Sequence, residues 1–171
     1  MIDDELVRAH RERALNPDRP VMRGTAQNPD TYFQGRESVN RFYNQVPAIV
    51  ERNMDKLFGL TGGRYPLVGY HGGNKASHVG VVMGSAAATV RQPVDAVNRA
   101  GGKDGVLTVH LYRPFPQRAL LRTLPDAVRY LTVLDRTKEP GAEGEPLYQD
   151  VVAALVRGLQ QGSISQLPKL S

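Results

Sequence analysis

The sequence changes character near Tyr65, and that change sets the fold. Downstream of it, three short runs rich in apolar and β-branched residues, "HVGVVMG" (78–84), "GVLTVHLY" (105–112) and "YLTVL" (130–134), read as strands. They alternate with stretches suited to helices, and the connections are short. This alternation predicts an α/β fold: an open, mainly parallel sheet with helices on both faces. "PLVGY" (66–70) is a candidate additional edge strand.

The helices have their own signals. One is expected to start at Gly84-Ser85 and run towards Ala100, with a kink or a late start at Pro93. A short one is expected over Gln117 to Thr123. The last, in "EPLYQDVVAALVRGL", carries Leu147, Val151, Leu155 and Leu159 four apart, with Pro146 in its first turn. Beyond it, residues 161–171 read as a frayed, linker-like tail.

Upstream of Tyr65 the chain does not read as an autonomous domain. "RALNPDRPVMRGTAQNPDTYFQGRESVN" has three prolines, two glycines and no sustained period in 28 positions. A stretch of that kind is uncommon inside a compact domain. Its apolar anchors Met22, Tyr32, Phe33 and Phe42 suggest a segment built to lie against something else. A helix should follow in "VPAIVERNMDKLFGLTGG", with Val50, Met54, Leu57 and Phe58 on one face and Gly62-Gly63 ending it. The expected organisation is therefore 1–64 as an extended strap and helix, 65–160 as the α/β domain, and 161–171 as the tail.

Composition excludes several classes of chemistry. The chain has no cysteine, which removes disulfides, thiolate zinc sites, cysteine-held iron–sulfur clusters and a Cys nucleophile. No apolar run approaches the ~20 residues needed to span a membrane. "MIDDELVRAH" is acidic and lacks the apolar core of a signal peptide, so a cytoplasmic location is expected. The net charge of +5 lies wholly in residues 61–171, with thirteen Lys/Arg against eight Asp/Glu. Aromatics are only 6% and Trp is absent, so this reads as a mildly cationic docking surface rather than a nucleic-acid platform. The four histidines lack metal-ligand spacing, and His110 reads as a packed, hydrogen-bonded strand residue. No GxSxG, Walker or GxGxxG pattern is present.

In open parallel sheets, functional surfaces form at the carboxyl ends of the strands. Here those ends read Gly84-Ser85, Arg113-Pro114 and Asp135-Arg136-Thr137-Lys138-Glu139, and they should share one edge. Gly84-Ser85 could cradle an anion at a helix N-terminus, or be an ordinary strand-to-helix turn. The loop "DRTKEPGAEGEP" could serve a domain interface, line a ligand, or be plain surface. Glu139, Glu143 and Glu145 read as charges complementing a helix macrodipole.

"RGTAQNPDTYFQGRE", "GVLTVHLYRPF" and "VLDRTKEPGAEGEPLYQDV", in that order and spacing, closely resemble the pyruvate:ferredoxin (flavodoxin) oxidoreductases. The likeness runs from about Leu6 to Leu170. It implies that residues 65–160 are similar to the C-terminal domain of transketolase. It also implies that 1–64 are the tail of the family's first domain. The family oxidatively decarboxylates pyruvate to acetyl-CoA, with thiamine diphosphate, Mg, iron–sulfur clusters and CoA, and passes electrons to ferredoxin or flavodoxin. No cofactor is expected in this chain itself, which lacks the GDG…N motif. The resemblance assigns a supporting role to Arg23, Asn28, Asp30, Gln34 and Arg36 as an interdomain strap. It assigns Arg113 with Asp135, Arg136, Lys138 and Glu139 to an edge facing neighbouring domains. The expected partners are the remaining domains or subunits of such an enzyme. The competing reading is a free-standing α/β module that binds CoA or another anionic metabolite.

Overall fold

The computed structural model describes residues 2–21 and 24–171. The chain divides into two units, 1–44 and 45–171. The division falls before the helix at 46–61, not at residue 65, so that helix belongs with the sheet.

The second unit is an α/β domain. Its elements run α4 (Val46–Thr61), β1 (Val68–Gly72), β2 (His78–Met83), α5 (Ala86–Arg99), β3 (Asp104–Val109), α6 (Gln117–Thr123), β4 (Tyr130–Val133), α7 (Pro146–Gln160) and β5 (Lys169–Leu170). The strand order is β1-β3-β2-β4-β5. β2 pairs in parallel with β3 and β4, β4 with β5, and only the edge strand β1 is antiparallel.

Alternation along the strands divides the core into two layers. Val79 and Val81 of β2, Leu107 and Val109 of β3, and Leu131 of β4 face a large cluster with Leu120 of α6 and Leu147, Val151 and Leu155 of α7. The intervening Val82 and Val106 face a smaller cluster with Ala87 and Val94 of α5. Helices thus cover both faces. α7 differs from its expected stripe in one place. Leu147, Val151 and Leu155 are buried, but Leu159 is 38% exposed. A four-residue step turns about 40° past a full circle, so the buried face drifts to Ala154 and Gly158.

Two further expectations are corrected. α5 starts at Ala86 and runs through Pro93, so no late start occurs. Residues 161–171 are not a loose tail. Lys169 N–H donates to the Arg129 carbonyl (2.7 Å), Ser171 N–H to Leu131 O (3.1 Å), and Val133 N–H to Ser171 O (2.9 Å). These backbone bonds cover the edge that β4 would otherwise leave open.

Tyr70 of β1 lies across β3, and its hydroxyl donates to the Gly73 carbonyl at 2.7 Å. Burial raises its pKa above 10.0. Folding therefore favours the neutral phenol, and that contribution is intact below pH 10 and lost as pH rises through the raised value. The urea midpoint should fall above pH 10, and Tyr70→Phe should lose less between pH 9 and 11 than the parent. Equal losses would contradict the assignment.

The first unit is α1 (Asp4–Glu12), α2 (Pro29–Ser38) and α3 (Asn40–Tyr43). It is more helical than an extended strap. Asp3 caps α1 by accepting from the Glu5 and Leu6 amides at 3.0 and 3.2 Å. Asn28-Pro29-Asp30 opens α2 with proline in its first turn and an acid beside the positive helix end. None of its described residues is buried.

Candidate functional site

The carboxyl ends of β3, β2 and β4 lie side by side, because these strands are parallel neighbours. Gly84-Ser85, Arg113-Pro114 and the loop from Asp135 therefore share one edge, as the alternation predicts. The Arg113–Pro114 peptide is cis.

The polar groups of this edge are organised largely within the domain. Asp135 holds the start of α7: its Oδ2 accepts from the Leu147 amide at 2.8 Å, and its Oδ1 from the Thr137 amide at 3.2 Å. Glu145 folds back over the loop. It accepts from Lys138 Nζ at 3.0 Å and from the Glu139 amide at 2.9 and 3.1 Å. Gly141, at φ +81°, permits the turn between them. The loop is thus a strut between β4 and α7 that carries its own partners. Arg136 and the Glu139 carboxylate remain exposed, with no side-chain partner among the described residues.

Arg113 also turns inward. Its Nη1 donates to Asp150 Oδ2 of α7 at 2.6 Å and to the Tyr112 carbonyl at 3.1 Å. Its Nη2 donates to the Tyr112 hydroxyl at 3.0 Å, and the guanidinium carbon lies 3.8 Å from that ring's centre. Burial alone would lower the Arg113 pKa. The hydrogen bond and charge of Asp150, with Tyr112, outweigh it and leave the pKa raised. Burial, the largest cause, raises that of Tyr112. α7 thereby gathers Arg113 and Asp135 into one polar framework. Asp150 and Tyr112 are members that sequence reasoning missed. The only available signal was that Asp150 adjoins the buried Val151.

Because Asp135 caps a 15-residue helix from another element, Asp135→Ala is expected to cost about 1 kcal/mol in urea unfolding. Asp135→Ser should recover part of it. A neutral alanine variant would contradict the capping role.

The strap residues lie in the other unit. Arg23 lies outside the described residues. Asn28 is the N-cap of α2, though its side chain makes no cap bond. Asp30, Gln34 and Arg36 follow on that helix, all exposed. Arg36 lies 5.8 Å from the Tyr32 ring centre. Tyr32, Phe33 and Phe42 are 55%, 64% and 56% exposed. The Arg41 guanidinium lies 4.7 Å from the Phe42 ring centre, so of these three exposed rings on α2 and α3 Phe33 alone has no arginine over it among the described residues. His110 lies just past β3 and is exposed rather than packed. Its Nδ1 bonds the Pro66 carbonyl at 2.6 Å.

Residues 76–167 match the family model for pyruvate:ferredoxin oxidoreductase core domain II. Residues 1–55 match the model for the thiamine-diphosphate-binding part of pyruvate flavodoxin/ferredoxin oxidoreductase. The chain is 55% identical over 168 residues to a pyruvate-flavodoxin oxidoreductase of Rhodospirillum rubrum, covering 96% of this chain and 14% of that protein. It is 52% identical over 163 residues to one of Trichormus variabilis, covering 95% and 14%. A third, from Nostoc sp. PCC 7119, is 48% identical over 169 residues, covering 99% and 40%. The chain therefore spans about a seventh of the first two relatives.

Among the described residues no site for thiamine diphosphate with its metal is assembled. Among the described residues no three His, Asp or Glu converge to hold a divalent ion. The described residues of 1–44 include no buried side chain that could enclose a ring.

Proposed function

The chain belongs to the pyruvate:ferredoxin oxidoreductase family, and from that premise we propose that it is one structural portion of a larger 2-oxoacid oxidoreductase. The parent activity would be oxidative decarboxylation of pyruvate to acetyl-CoA in the cytoplasm. Thiamine diphosphate with Mg, iron–sulfur clusters and CoA would bind to other parts of that enzyme, and ferredoxin or flavodoxin would take the electrons. This chain would supply no reacting group. Its sheet domain would be a rigid body in the assembly. Its first 44 residues would be a strap laid on a neighbouring part, with Arg23, Asn28, Asp30, Gln34 and Arg36 making polar contacts there.

The observation that carries this reading is the unburied aromatic set on α2 and α3. Burying one aromatic side chain of that size is worth about 1.5–3 kcal/mol, so Tyr32, Phe33 and Phe42 together favour a covering surface. Exposed Arg136 and Glu139 at the sheet edge are suited to a second contact.

The test is affinity capture of the tagged chain from its native extract. The eluate should reduce a viologen dye in a pyruvate- and CoA-dependent manner, and the chain purified alone should not. An inactive eluate, or activity in the chain alone, would contradict the proposal.

A further inference from the structure

A groove of about 580 Å³ opens beside the carboxyl end of β3, between α4 and the first turns of α5. Its walls are apolar: Met54 and Leu57 of α4, Ala87 and Ala88 of α5, and the ring of Tyr65. Besides the Tyr65 phenol, three polar side chains, Arg91, Thr108 and His110, line it, and no lining residue is acidic. The carboxylates nearby, Glu51 and Asp55, line a separate pocket of about 240 Å³ with Arg64.

The three polar groups share one property: each has hydrogen-bonding capacity that the chain does not use. Thr108 is only 4% exposed, and its hydroxyl has no hydrogen bond within the described chain. Its backbone is paired on both sides, to Gly69 of β1 and Val82 of β2. Its side chain lies on the α5 face, among Val82 and Val106, where an apolar residue would be the ordinary choice. The Arg91 guanidinium has no hydrogen bond or ion pair among the described residues. The His110 ring is held in place by its Nδ1 bond to Pro66 O and lies edge-on to Tyr65 at 6.1 Å, which leaves Nε2 unpartnered. The groove also borders the start of α5, where Ser85 makes no side-chain cap bond.

We propose that this groove binds a small organic anion. Its apolar body would lie against Met54, Leu57 and Tyr65, and its carboxylate or phosphate at Arg91, within reach of the Thr108 hydroxyl. A cation and a hydroxyl donor without an opposing carboxylate suit an anionic oxygen. The apolar walls exclude a bare ion as the best occupant. The anion-binding reading of Gly84-Ser85 gains a specific place here, with binding groups from α4, α5 and β3. The inference does not depend on the oxidoreductase assignment.

The test is titration of the ¹⁵N-labelled full chain with phenyl phosphate, benzoate and neutral benzyl alcohol. At least one of the two anions should give saturating shifts at the Ala88, Arg91 and His110 amides, and the alcohol should not. The tighter anion identifies the head group. Arg91→Gln should weaken binding about tenfold. Thr108→Val should weaken it about threefold while leaving the urea midpoint unchanged, because the hydroxyl has no partner in the chain. Arg122→Gln on α6 serves as a control and should bind as the parent does. Non-saturating shifts with both anions, alcohol binding equal to that of the anions, or unchanged affinity in Arg91→Gln would each overturn the proposal. So would a stability loss in Thr108→Val with binding intact.

Discussion

Leu107→Ala is expected to lower the stability of the sheet domain by about 2–5 kcal/mol. Leu107 is fully buried in β3, paired with Tyr70 of β1 on one side and Val81 of β2 on the other. It belongs to the large core layer that includes α6 and α7. Two bonded strands hold its backbone, so the site has little freedom to collapse around the lost methyls. Cavity and transfer costs should therefore both appear. Urea unfolding followed by far-UV circular dichroism would show a lower midpoint with an unchanged slope. A cost under about 1 kcal/mol would mean that this layer is not the one holding the domain together.

Gly105→Ala should cost about 1–3 kcal/mol, although alanine normally stabilises a strand relative to glycine. A Cβ at residue 105 would meet the Tyr70 hydroxyl and lie 2.7 and 2.8 Å from two atoms of its ring. Tyr70 fills the space that the absent side chain leaves, an aromatic ring laid over a strand glycine. To admit a methyl group, the ring must swing outward and give up its bond to Gly73. The cause can be isolated with Tyr70→Ala. In that background Gly105→Ala should be neutral or stabilising, so the two substitutions should be strongly non-additive. Additive effects would place the cost in the backbone instead.

The strands were legible because their chemistry is local. "HVGVVMG", "GVLTVHLY" and "YLTVL" are bounded by turn residues, and each lies in the sheet where the alternation implied. The shared edge of Gly84, Arg113 and Asp135 followed from parallel topology alone. α2 was missed as a helix because the reading relied on apolar periodicity. α2 has no buried face, and its evidence was the Asn28-Pro29-Asp30 start. β5 was missed because two residues paired through their backbone leave almost no pattern. The inward pairing of Arg113 with Asp150, and of Asp135 with the Leu147 amide, depends on where α7 packs. Sequence reading located those polar residues but not the partners that Arg113 and Asp135 hold within the domain. Thr108 was hidden for the opposite reason: a threonine in a strand is ordinary until its neighbours show that its hydroxyl has no mate.

Amide hydrogen exchange of the purified chain tests the central claim most directly, that the first unit is built to lie on another part of a larger enzyme. α1 and α2 have 9 and 10 residues, shorter than the roughly 12–15 at which an isolated helix holds in water. With no buried side chain to support them, α1 and residues 24–44 should exchange with almost no protection, while β2, β3 and β4 are strongly protected. Strong protection throughout both units would contradict the account, because the first unit would then be stable without a partner.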